Sequence, residues 1–186
     1  MSTLFVNKVQ AASNQATTIN ANNGTAGITM DTNGRMSYKS PAIVMAGIAS
    51  GENQSFNTSI TKINFKSDTG NLFTQIDSAS AFNDSTSEFT APVAGIYHII
   101  VSLYDQTASH TMNAVLIYVG GARKHNLTHT LINRNSTANE SIFGGSAFMK
   151  LAAGQVMDIR GHATGTVTLE SNPYHTYLQI FYAGSE

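Results

Sequence analysis

The sequence has no cysteine, so it offers neither a disulfide framework nor a thiolate metal site. It has no tryptophan and three prolines. Charge is scarce. Charged residues make up 11% of the 186 positions and the formal net charge is −1, against about 25% charged residues in an average soluble domain. Lys and Arg occur singly, and no basic stripe of the kind that binds a phosphate backbone is present, which argues against nucleic acid as a partner. No apolar run approaches the roughly 18 residues of a membrane span, and "MSTLFVNKVQAAS" has no apolar stretch long enough for a signal peptide. The expectation is a chain folded in a cytoplasm and not inserted in a membrane. It could still reach an exterior by a route other than secretion, such as on a virus particle. Solubility then rests on uncharged polar groups, as in "NQATTINANNGT" and "NRNSTANES". Asn, Ser and Thr bond to nearby backbone and favour turns and strands over helices.

What is present is a 41% share of hydrophobic residues, enough for one substantial core. Residues 1–40 hold only short apolar islands: Leu4, Phe5 and Val6, then Ile28 and Met30. Asn33-Gly34 stands between Ile28/Met30 and Met36/Tyr38, an alternation that predicts a type I′ hairpin. The segment is too poor in apolar residues to fold around its own core. It is expected to order by packing on something else, as a docking arm or linker for a head that spans 41–186.

From residue 41 onward the pattern is short strands between Gly and Asn turns. Candidates are 42–48, 60–66, 71–76, 95–105, 112–120, 127–132, 141–151, 155–161 and 175–183. Helical periodicity is absent, so the expected class is all-β, a sandwich or barrel. In 95–104, Tyr97, Ile99, Val101 and Leu103 alternate with less apolar residues and should face the core. The stretch 112–119 is apolar on both faces, with Ala114, Leu116 and Tyr118 opposite Val115, Ile117 and Val119. The last strand sets Leu178, Ile180 and Tyr182 against Tyr177 and Phe181. A strand apolar on both faces in a two-layer sandwich calls for a third surface, and a second copy of the chain supplies one economically. Leu116, Tyr118, Tyr177 and Phe181 are therefore the expected trimer interface or core.

"FTAPVAGIYHIIVSLY" resembles the signature of the complement C-one-q globular head, whose jelly roll is shared with the tumour necrosis factor ligands. Phe89, Thr90, Pro92, Gly95 and Tyr97 carry the match. Four further pieces follow the same order. "SPAIVMAG" is similar to the first strand, with Ile43 for the usual Phe. "AVLIYVGGARK" is similar to a later strand and turn. "GGSAFMKLAAGQVMDI" is similar to a Gly-Ser…Leu-x-x-Gly-Asp pattern, with Gln155 for Asp. "HTYLQIFYAG" is similar to the closing strand, with Gln179 for Gly. The resemblance covers about 40–183 and implies a jelly-roll β-sandwich of about ten strands that forms a tight homotrimer. The family's collagen stem is absent, since no Gly-x-y repeat occurs. In its place "GTAGITMDTNGRMSYKSPA" resembles the β-linker ahead of such heads in tailed-bacteriophage virion proteins, through Ile28, Asp31, Gly34, Arg35, Met36, Pro41 and Ala42. It implies a virion-surface protein docked by its arm to other virion proteins, either a fibre or adhesion tip or a capsid decoration. A free C-one-q-like ligand or adhesin is the alternative.

Residue chemistry points away from catalysis. Neither Gly-x-Ser-x-Gly nor His-Glu-x-x-His occurs, so no catalytic residue, metal ligand or cofactor is expected. His125 and His129 on one strand would sit about 13 Å apart, too far to share an ion. Asn126, Asn135 and Asn139 begin sequons that such an Asn-rich chain produces by chance. The polar stretches 105–111 and 121–140 are the candidate contact loops for a host glycan or protein, through Asp105, His110, Arg123, His125, Asn126, His129 and Arg134. Weak contacts there would be multiplied by threefold symmetry.

Overall fold

The computed structural model describes residues 17–20, 26–30, 36–38, 43–49, 51–66, 76–105, 112–128, 141–171 and 175–184. Backbone contacts divide the chain into two units, Met1–Ser40 and Pro41–Glu186. The first contains a three-stranded antiparallel sheet of β1 (Thr17–Asn20), β2 (Ala26–Met30) and β3 (Met36–Tyr38). Ile28 pairs with Tyr38 and Met30 with Met36, the residues whose alternation predicts the hairpin. Five residues separate Met30 from Met36. The turn expected at Asn33-Gly34 lies outside the described residues. Leu4, Phe5 and Val6 lie outside the described residues.

The second unit is an antiparallel β-sandwich, and the described residues contain no helix. Its strands are β4 (Ile43–Gly47), β5 (Gln54–Phe56), β6 (Thr61–Lys62), β7 (Ile76–Asp77), β8 (Phe82–Asn83), β9 (Glu88–Thr90), β10 (Gly95–Asp105), β11 (Met112–Val119), β12 (Ala122–Thr128), β13 (Ser141–Leu151), β14 (Val156–Ala163), β15 (Val167–Leu169) and β16 (Tyr177–Gly184). One layer has β10 at its centre, paired along its length with β13 on one edge and with β16 on the other. β16 continues to β4 and β7, and β15 and β5 extend the layer beyond the end of β10. The other layer runs β12-β11-β14-β9-β8, with β6 against β14.

The core lies between the layers and obeys the two-residue period. From β10 come Tyr97, Ile99, Val101 and Leu103, from β16 Leu178 and Ile180, and from β4 Val44 and Ala46. Facing them are Val115, Ile117 and Val119 of β11 and Met157 and Ile159 of β14, all buried in one cluster. Each such side chain contributes about 1.5–3 kcal/mol on burial, so the alternation of a few long strands dominates the local terms.

The Pro92-to-Tyr97 stretch steers β10 into that core. The Tyr97 hydroxyl donates to the Val93 carbonyl at 2.7 Å, closing the bend from inside. Its ring meets Phe89 and Tyr182 edge-on, at centroid distances of 5.3 and 5.4 Å. Gly95 is required by that packing. A Cβ there would stand 2.5 Å from the Tyr182 ring and 2.6 Å from the Gly184 carbonyl oxygen. Burial and the neighbouring Tyr182 push the Tyr97 phenol up, against the opposing pull of the bond to Val93. Gln155 serves the turn between β13 and β14, where its side-chain oxygen accepts from the Ala152 amide at 2.8 Å.

Candidate functional site: an uncharged outward sheet face

The residues of β10 that alternate with the core point away from the sandwich, and their strand partners complete a second face. Strand pairing orders it in rows. One row is Phe148, His98, Phe181 and Ile43. The next is Ser146, Ile100, Gln179 and Met45, and the third is Gly144, Ser102, Tyr177 and Gly47. Lys150 stands beyond the first row, beside Ile96. Inside these three rows no side chain is acidic or basic apart from His98.

Two large apolar side chains on β13 are exposed on this face, Ile142 at 59% and Phe148 at 66%. Single exposed apolar residues are ordinary, but several grouped on one uncharged face mark an interaction surface. Between them the surface dips into a groove of about 360 Å³ lined by Ile100, Ser102, Ile142, Gly144, Ser146 and Tyr177. At Gly144 the two strands lie close together. A Cβ at 144 would meet the Val101 carbonyl oxygen at 2.0 Å, so only glycine lets β13 lie this close to β10. The His98 ring stacks on Phe148, with centroids 4.4 Å apart and planes 15° from parallel.

The expected interface residues divide. Tyr177 and Phe181 belong to this face and are half-buried. Leu116 does not, since it is 1% exposed in the single chain. The doubly apolar strand β11 therefore needs no second copy: Ala114 and Leu116 are already covered, and Tyr118 lies under the Arg160 guanidinium, 4.0 Å from the ring centroid. Ile142 and Phe148 were missed as site residues. The signal for them was their place in 141–151, at even positions that alternate with the core-facing Ala147, Met149 and Leu151.

The contact candidates also separate. Arg123, His125 and Asn126 are exposed, but they stand on a strand, β12, and not in a loop. Gly120 and Gly121, with φ of +59° and +77°, make the tight turn that folds β12 back on β11. Asp105 ends β10, pairs with Ser141 and Leu169, and is 3% exposed, a buried strand position and not the exposed loop position expected of it. His110, His129 and Arg134 lie outside the described residues.

Charge is concentrated on the outer side of the other layer. Asp158, nearly buried, accepts from Arg160 at 2.6 and 3.1 Å. Lys62 lies 3.9 Å from Asp158 and donates to Glu88 at 2.6 Å. The bond to Asp158 raises Arg160 above its ordinary value. The bond from Lys62 holds the Glu88 carboxyl below its usual range. Stability from the Lys62–Glu88 pair is thus full above the ordinary carboxylate range and lost as pH falls through the depressed value. Replacing Asp158 by Asn is expected to cost about 2 kcal/mol, the cost of breaking a buried pair discounted for the partly exposed Arg160. A urea denaturation midpoint at neutral pH measures it. Among the described residues no three His, Asp or Glu side chains are grouped to hold a metal ion.

No family model matches the sequence, and no curated protein matches it. Solved structures match in fold. The chain superposes on Eiger TNF from S. frugiperda with a TM-score of 0.54 and 13% identity, over 78% of this chain and 95% of that one. Murine APRIL gives a TM-score of 0.55 at 11% identity, over 76% and 98%. The globular domain of zebrafish complement 1qA gives 0.51 at 12% identity, over 77% and 99%. The sandwich is thus a jelly roll of the kind shared by tumour necrosis factor and C-one-q domains.

Proposed function

We propose that the chain is a non-enzymatic binding module that self-associates through the outward face of β13, β10, β16 and β4, as a homotrimer. The observation that carries this reading is the uncharged face with Ile142 and Phe148 exposed beside the Gly144 groove. An uncharged apolar surface is matched best by another of its kind, and a second copy supplies both the projecting side chains and the groove. The resemblance to C-one-q heads gives the number three. Exposed Arg123, His125 and Asn126 on β12 are the candidate contacts to a glycan or protein, repeated three times in the assembly.

Within this reading the module is a tailed-bacteriophage virion protein, at the particle surface, with residues 1–40 as its docking arm. The supporting observation is the sequence resemblance of 24–42 to the β-linkers of such proteins. Antibody labelling of purified particles in the electron microscope tests it, with label on tail or capsid as the expected result and unlabelled particles as the contrary one. Label at the tail with loss of adsorption on deletion means an adhesion tip. Label on the shell with adsorption intact means decoration. The second reading, a free receptor-binding ligand, draws on the fold neighbours, which are TNF and complement proteins by name. Binding of the isolated protein to animal cells, with no label on particles, would favour it.

A further inference from the structure

We infer that self-association of this chain is switched by pH through His98, with assembly favoured when its imidazole is neutral and opposed when it is charged. This rests on the self-association reading above and adds its regulation. His98 stands in the first row of the proposed interface, on an inner strand of the sheet. Its strand partners are Phe148 on β13 and Phe181 on β16, with Ile43 of β4 next in the row. Its own strand flanks it with Ile96 and Ile100 on the same face. The neutral ring stacks on Phe148 and behaves as one more apolar surface.

The charged ring has little to meet. Among the described residues the titratable groups on the packed elements are Lys150 of β13 and Tyr177 and Tyr182 of β16. Lys150 lies one row away and carries the same sign. Tyr182 packs into the core against Tyr97. The sheet's carboxylates point elsewhere: Asp105 is buried at the far end of β10, and Asp77 accepts from the Ala81 and Phe82 amides. The phenyl face of Phe148 offers an imidazolium some attraction. That attraction exists equally in the free chain, so it does not favour assembly. Burying the charge in the interface removes its water, and the described residues of the face return no counter-ion.

The sign follows from linkage. The assembled state binds fewer protons than the free chains, so association is full above the range where imidazoles ordinarily titrate and weakens as pH falls through it. Three copies carry the same group, so the effect is cooperative in the assembly.

The test is sedimentation velocity of the full chain at about pH 8 and about pH 5, on the wild type and on His98→Phe, with circular dichroism to follow the strands. The wild type is expected to associate at the higher pH and to need at least about tenfold more protein to do so at the lower, each tenfold being about 1.4 kcal/mol. His98→Phe is expected to associate alike at both. Equal association of the wild type at both pH values overturns the switch and leaves the self-association reading standing. Acid dissociation or strand loss shared by His98→Phe assigns the sensitivity to another group and also overturns it. A wild type that is monomeric at the higher pH overturns both.

Discussion

Phe148→Asp leaves the fold intact and abolishes self-association. Phe148 is 66% exposed in the single chain and gives up its stack with His98, so the cost to folding is within about 1 kcal/mol. In the assembly the substitution removes a large apolar anchor from an uncharged face and leaves a carboxylate in its place. A lost aromatic anchor costs about 2 kcal/mol or more. An unpaired charge at a closed interface costs about 3–5 kcal/mol. Each contact should therefore weaken at least about a thousandfold. Sedimentation at micromolar concentration reads this as monomer, while the thermal midpoint by circular dichroism hardly changes. Unaltered association of Phe148→Asp would remove this face from the interface.

Gly144→Val acts in the opposite way, on the fold itself. The atoms that a Cβ at 144 would meet are the Val101 carbonyl oxygen at 2.0 Å, its carbon at 2.8 Å and the Ser102 Cα at 3.1 Å. All are backbone, so no rotamer change relieves the overlap. The chain must instead part β10 from β13 at the Ser102–Gly144 pair, inside a ladder of eleven residue pairs. The expected loss is at least about 3 kcal/mol, a large share of the roughly 5–15 kcal/mol that holds a domain folded. Gly154→Ala is the contrast. A Cβ there touches nothing within 4 Å, and only its φ of +79° opposes the change, at a cost of about 1–2 kcal/mol. Urea midpoints of the two variants should differ accordingly. Equal midpoints would show that β13 can shift away from β10 at little cost.

The fold was legible where burial imposes a period of two. Residues 95–105 and 141–151 were delimited as strands from the sequence and form β10 and β13. Tyr97, Ile99, Val101 and Leu103 were placed in the core by alternation and are buried there. The strands β5, β8, β9 and β15 escaped notice; they are two or three residues each and too short to show a pattern. The start of β12 escaped for a different reason, only Leu127 and Thr128 falling in the expected strand 127–132. As the last strand on one side of its layer it exposes Arg123 through Asn126, and a strand with little to bury keeps a loop's composition. The Gly120-Gly121 pair directly after an apolar strand was the available sign of a hairpin.

The outward face was harder to read. A continuous apolar strand such as β11 suggests two buried faces but does not say what buries them. The structure assigns the second face of β11 to covering within the chain, through contacts such as Arg160 on Tyr118. The exposed apolar face lies on the other layer, where β10 and β13 carry polar residues or glycines among their apolar ones. It emerges only when pairing sets Phe148 beside His98 and Phe181, three residues far apart in the chain. Such a surface depends on register, which periodicity within one strand does not carry.

Sedimentation equilibrium of the purified chain at neutral pH decides whether three copies assemble. The expected mass is three times 19.8 kDa, stable across the micromolar range and reduced to a single chain by Phe148→Asp. A wild-type mass of 19.8 kDa at every concentration would contradict it.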